Sequence, residues 1–149
     1  MKLSTKTRYG TRILIELALN LNKGAIQVSK IASSQKIPVK YLEQLLRTLK
    51  LSGIVKSVRG PKGGHLLAEN PEDISLGKIV RLFEGQTDLV ECVSSPEKCD
   101  MASECLVRQA WYDATCVLYK KLDGISIADL VSDKNINDAC TPFCPTDKD

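Results

Sequence analysis

Acidic residues are almost missing from the first 65 positions of this 149-residue chain, where Glu16 and Glu43 stand against 13 lysines and arginines, a local charge of +11. Long apolar runs are missing too. None approaches the roughly 18 residues that a membrane span requires, and the N-terminal ten residues carry charge without the apolar segment of a signal peptide. The expectation is a cytoplasmic protein with no membrane partner. Histidine occurs once, at His65, and aromatics make up 5% of the chain. With no glycine-rich nucleotide loop and no usable His–Cys pair, catalysis has no support, and His65, in a strand, reads as structural. A hydrophobic share of 43% beside 26% charged residues excludes wholesale disorder.

The acids turn up in the other half. Residues 66–149 hold 16 of them against 8 lysines and arginines, a charge of −8 that leaves the whole chain at +3. Such asymmetry joins a basic module for a polyanion to an acidic module with a different task. The expected organisation is a DNA-binding domain over 1–75, a ligand-binding loop with dimerisation helices over 76–132, and a flexible tail over 133–149.

The basic half has the punctuation of a helix-turn-helix. Tyr9, Ile13, Leu17 and Leu21 recur at helical spacing and Gly24 closes that segment. Ser29 is expected to cap a short helix over 30–36, and Ile37-Pro38 breaks it, because proline disfavours helix at the residue before it. A third helix follows over 39–51, with Leu42, Leu45, Leu46 and Leu49 inward and Lys40, Glu43, Gln44, Arg47 and Lys50 outward. This is the pattern of a recognition helix. Ile54-Val-Lys-Ser-Val58 then alternates as a strand, Arg59-Gly-Pro-Lys-Gly-Gly64 turns, and His65-Leu-Leu-Ala68 returns. Arg59 and Lys62 among glycines at a hairpin tip suit phosphates or a minor groove. Glu43, the lone acid on a basic surface, suits a hydrogen bond from cytosine N4.

The acidic half opens with Ser75 capping a helix over 76–84 that Gly85 ends. Cys92, Cys99 and Cys105 follow, spaced C-x6-C-x5-C in a polar loop. Outside oxidising compartments such thiols more often bind metal or react than form a disulfide framework. Three soft thiolates suit zinc, copper(I) or an iron–sulfur cluster, although the paired C-x2-C of common zinc sites is missing. A helix over about 104–122, carrying Leu106, Ala110, Trp111, Cys116 and Tyr119, would be nearly 30 Å long. So small a domain offers little to cover it. Pairing with a second copy would, and a two-fold dimer suits a palindromic operator. Cys116 reads as interface packing, and Cys140 and Cys144 form a weak C-x3-C signal in the tail.

These segments together resemble the IscR-like winged-helix regulators of the Rrf-two superfamily, which include NsrR, RirA and CymR. The resemblance runs from Met1 to about Ser132. It is carried by Met1-Lys-Leu-Ser-Thr-Lys-Thr-Arg-Tyr9, Tyr41-Leu-Glu-Gln-Leu45, Val58-Arg-Gly-Pro-Lys-Gly-Gly64, the cysteine array and Ala110-Trp111. It implies a mostly helical α+β fold, a winged helix-turn-helix with a long dimerisation helix. It also implies a homodimeric transcription factor, in its usual form a repressor, that binds double-stranded DNA. Lys40, Tyr41, Glu43, Gln44, Arg47, Arg59 and Lys62 would meet the DNA. Cys92, Cys99 and Cys105 would hold an iron–sulfur cluster, [2Fe–2S] first and [4Fe–4S] as the alternative, sensing iron, redox state or nitric oxide. The chain departs from the pattern in the six-residue first gap of its cysteine array, which leaves the cluster type open, and in two further places. Leu106-Val107-Arg108 follows the third cysteine where IscR-like proteins carry a histidine ligand, and Arg8 and Arg12 stand where NsrR-like proteins carry a carboxylate. Glu104, Asp100, a tail cysteine, a small thiol or water are the remaining fourth-ligand candidates. A cluster-free or thiol-redox regulator is the alternative, as in CymR-like proteins. An iron–sulfur electron carrier fits the +11 half and the wing poorly.

Overall fold

The computed structural model describes residues 3–85 and 88–132; the expectations for the tail, Cys140 and Cys144 lie outside the described residues. Helix α1 (Thr5–Leu19) begins four residues before the first apolar repeat, because the Ser4 hydroxyl accepts from the Lys6 amide and caps it. Its Ile13, Leu14, Leu17 and Ala18 are buried. Helix α2 (Val28–Gln35) is entered through Gln27, which makes no side-chain cap, so the expected cap Ser29 lies inside the helix. Lys36 then turns left-handed at φ 53° and Pro38 precedes α3 (Val39–Leu51). A left-handed residue followed by proline stops one helix and starts the next within three positions.

Strands β1 (Val55–Val58) and β2 (Gly64–Leu67) pair antiparallel, Val55 opposite Leu67 and Val58 opposite Gly64. A 3₁₀ turn at Pro71–Asp73 leads to α4 (Leu76–Glu84), where the Ser75 hydroxyl accepts from the Lys78 amide at 3.1 Å. After it come the short α5 (Glu91–Ser94), a 3₁₀ turn at Pro96–Lys98, α6 (Arg108–Asp123) and α7 (Ile127–Ser132). Ser126 and Asp129 cap α7 reciprocally, with Ser126 N donating to Asp129 Oδ2 at 2.8 Å and Asp129 N to Ser126 Oγ at 3.1 Å.

α6 starts at Arg108, not near Glu104. Tight three-residue turns occupy the approach: Glu104 N donates to Met101 O and Arg108 N to Cys105 O. With 16 residues the helix is about 24 Å long. Cys105 precedes it and lies outside the helix that carries Cys116.

One apolar core takes Leu14 and Leu17 from α1, Leu42, Leu46 and Leu49 from α3, and Ile79 and Ile127 from α4 and α7. α4 lies close on α1: a Cβ on Gly10 would run into the Phe83 ring, so a larger residue there would force that ring to shift. At the same junction Glu84 accepts from the Ser4 amide at 2.8 Å and from the Thr7 hydroxyl. Burial pushes its carboxyl up, but these hydrogen bonds outweigh that and hold it below the usual range. The architecture is the expected mostly helical α+β one, with a two-stranded wing.

Candidate DNA interface and thiol loop

The outer face of α3 carries Lys40, Glu43, Gln44 and Arg47, all exposed. Tyr41 is half-buried and meets the Tyr9 ring edge-on at 6.0 Å, while the Arg12 guanidinium sits 5.4 Å above Tyr9. Arg12 Nε also donates to Gln35 Oε1 at 3.0 Å. These contacts fix α3 and the end of α2 on α1. The exposed helix surface is therefore held at a set angle.

Arg59 and Lys62 are exposed at the hairpin tip. The tip folds back because Gly60 takes φ 113° and because a Cβ on Gly63 would lie 2.4 Å from Val58 O. The wing is bonded to the entry of α2: Ile26 N donates to His65 O at 2.9 Å and His65 N to Ile26 O at 2.8 Å. His65 Nδ1 is buried with no hydrogen-bond partner among the described residues. Burial and the nearby Lys50 charge push its pKa down, which keeps the ring neutral.

The three cysteines sit on three successive turns. Cys92 lies in α5, Cys99 directly after the 3₁₀ turn and Cys105 before α6; all are free thiols and half-buried. Arg108, the first residue of α6, reaches back to donate through Nε to Cys92 O at 2.9 Å and through Nη2 to Val93 O at 3.4 Å. A cavity of about 410 Å³ lies beside this bracket, lined by Val93, Ala102, Cys105, Arg108 and Tyr112. The donor type suits a thiolate-bound metal centre. The assembled geometry is not present, since among the described residues no three His, Cys, Asp or Glu side chains stand where they could hold one ion. Glu104 and Asp100 are exposed.

α6 carries its apolar residues outward. Only Thr115 is buried, taking the Leu89 amide at 3.3 Å and donating to Trp111 O at 2.8 Å. Just before and along the helix, Leu106 is 98%, Val117 67% and Trp111 41% exposed. Cys116 is exposed, and its hydrogen bond with Tyr112 pushes that phenol up. The far end of α6 is locked to α4: Arg81 donates twice to Asp123, at 2.7 Å each, and stacks 4.7 Å over the Tyr119 ring. A Cβ on Gly77 would run into the Asp123 carboxylate, so a larger residue there would have to displace this exposed pair. Sequence reasoning missed both Arg108 and the Arg81–Asp123–Tyr119 lock. Partners 16 and 42 positions apart leave no local spacing signal.

A helix-turn-helix with a basic wing, extended by a thiol-bearing loop and a helix apolar on its outer side, defines a winged-helix DNA-binding regulator. The chain belongs to the Rrf2 family, described as an iron-dependent transcriptional regulator, whose pattern it matches over residues 3–133. It is 38% identical to the protein rrf2 of Nitratidesulfovibrio vulgaris over 91% of both chains. Its fold is similar to that of CymR, the global cysteine regulator of B. subtilis, with a TM-score of 0.75, 36% identity and coverage of 89% and 97%. It is also similar to T. potens IscR, with a TM-score of 0.72, 33% identity and coverage of 89% and 88%. The family's activity is transcriptional regulation through DNA. Among the described residues no helix is long and apolar enough to cross a membrane.

Proposed function

We propose that this protein is a homodimeric, cytoplasmic transcriptional repressor whose grip on a palindromic operator is set by an iron–sulfur cluster on Cys92, Cys99 and Cys105. The observation that carries this reading is the bracket of Arg108. It ties the Cys92 turn to the head of α6, the helix whose outer face is apolar and uncovered. When bound, such a cluster supplies a centre whose charge responds to iron, oxidants and diatomic gases. The chain's own residues do the rest. The three thiolates hold the group, Arg108 relays the order of their loop to α6, and Arg81 with Asp123 relays α6 to α4. Linkage then shifts the population of dimers in which two recognition helices lie one DNA turn apart.

In this reading α3 enters the major groove with Lys40, Tyr41, Glu43, Gln44 and Arg47, and the wing brings Arg59 to the adjacent minor groove and Lys62 to a phosphate. Glu43→Ala relaxes sequence preference, measured by competition at fixed salt, while non-specific binding stays equal or strengthens. Arg59→Ala weakens binding most where stiff A-tracts narrow the minor groove.

Anaerobic reconstitution with iron and sulfide tests the cluster. Visible absorption should appear in the wild type and vanish in Cys92→Ala, Cys99→Ala and Cys105→Ala, but persist in Cys116→Ser. A second reading has the thiols act without a cluster, and the ungathered sulfurs favour it. Its mark is a colourless protein whose operator binding still changes on thiol oxidation. Identical DNA binding by all the cysteine variants, with and without iron, sinks both.

A further inference from the structure

The cavity of about 410 Å³ beside the Arg108 bracket is walled by three stretches of chain: Val93 of α5, Ala102, Ser103 and Cys105 on the turns, and Arg108 and Tyr112 of α6. Its volume is that of a small-molecule site. Ala102 is buried and Val93 half-buried, which gives the cavity an apolar wall. Among the described residues Arg108 is the one charged side chain of the lining, and no acid stands opposite it. The bracket occupies Nε and one hydrogen of Nη2. The outer edge of the guanidinium, with Nη1, donates to none of the described residues. The acids of the adjoining elements are engaged elsewhere: Glu91 of α5 pairs with Lys98, and Asp113 of α6 accepts from Gln109 at 2.9 Å.

A half-buried guanidinium with one edge on carbonyls and the other on a cleft without acids lacks a counter-charge. The free edge presents two N–H groups spaced for the two oxygens of a carboxylate. One guanidinium balances one negative charge. A dianion such as free phosphate would bring an uncompensated charge into the cavity, and the apolar wall calls for an organic body behind the anionic head. We propose that this cavity is an effector site for a small organic monocarboxylate, its head on the outer edge of Arg108 and its body against Val93 and Ala102. A ligand seated there touches α5, the turns and α6 at once and covers Cys105. It tightens the joint that the bracket already makes. The seat itself stands apart from both readings of the thiols; its effect on DNA rests on the coupling of α6 to operator affinity proposed above.

The test uses the reduced full chain, with butyrate and N-acetylalanine as probes and butyramide as the neutral isostere. Cys105 is the reporter: iodoacetamide labelling is resolved cysteine by cysteine by mass spectrometry. At about ten times the Kd read by calorimetry, each carboxylate should slow labelling of Cys105 about tenfold, the mass-action factor, and leave Cys116 unchanged. Butyramide should protect neither. Arg108→Lys keeps the charge but loses the fork, and should weaken binding about tenfold. Ser103→Asp, at an exposed position outside the bracket, puts a carboxylate into the cleft in cis and should abolish protection. Lys121→Asp, equally exposed at the far end of α6, should bind as the wild type does, and melting curves check that each variant is folded. No protection by either carboxylate at millimolar strength, equal protection by butyramide, or full binding in Ser103→Asp overturns the assignment. So does inorganic phosphate that displaces the carboxylates at equal concentration, which makes the cleft a general anion site. Protection of Cys105 without any change in affinity for a duplex that the protein itself selects from a random pool overturns the effector role and leaves the seat standing.

Discussion

α3 and α6 are neighbours in length, at 13 and 16 residues, and opposites in orientation. Four of the five leucines of α3 are buried, Leu51 at its end being exposed, and its charged residues face out, whereas α6 buries one threonine and shows Trp111 and Val117 to solvent. A helix that hides its apolar stripe is finished within its own chain. One that displays it is completed by something else. The winged half therefore reads as a self-sufficient scaffold, and α6, in the function proposed above, as an arm that a second subunit would cover.

Val117→Glu should break that comparison most severely. If α6 pairs with its copy, the dimer must bury two unpaired carboxylates, each costing several kcal/mol. Sedimentation should show a monomer of unchanged helix content, with operator affinity down at least tenfold; a persistent dimer would place the interface elsewhere. Leu49→Ala, in the finished helix, should lower unfolding free energy by about 2–5 kcal/mol in urea, independent of protein concentration. Val117→Ala, by contrast, should act through a concentration-dependent midpoint.

Arg81→Ala sharpens the boundary between the two regions. Its pair with Asp123 is 45% and 43% exposed, so water screens it, and with the Tyr119 stack the loss should be about 1 kcal/mol. The hydrogen bonds from Arg81 hold the Asp123 carboxyl below its ordinary range. The pair's contribution is thus complete above the ordinary aspartate value near 4 and fades as pH falls through the lowered one. An urea series between pH 6 and 2.5 on wild type and Arg81→Ala reads this out. The smallest effect belongs to His65. Burial lowers its pKa, so the unfolded chain binds the proton first, and stability drains as pH falls below about 6.5. His65→Gln should flatten the curve between pH 7 and 5; an equal slope would assign the dependence to other groups.

Legibility followed the same division. α3 and α4 were read to their end residues, because each has an apolar repeat and its own terminator: Pro38 and Gly53 for one, Ser75 and Gly85 for the other. α1 was read late, since its start depends on the Ser4 cap rather than on periodicity. α7 was passed over although Ser126-Ile-Ala-Asp129 spells a capping box. The exposed charges of α3 and the wing were legible, because an outward position follows from helical and strand spacing. The start of α6 was misjudged for a similar reason: turns and a side-chain bond to Cys92, not propensity, set where the helix begins.

The Arg108 bracket also has an entropic meaning. Its bond to the Cys92 carbonyl closes a ring of chain spanning 16 positions. Closing such a ring costs about 2.5 kcal/mol of chain freedom from the logarithmic length dependence alone. In this fold a guanidinium has met that cost before any ligand arrives. In the cluster-binding function proposed above, the search of Cys99 for its two partner thiols would be confined to a tethered loop, which raises their effective concentration. Arg108→Ala would return that search to an open chain and slow the gathering of the sulfurs without removing one of them.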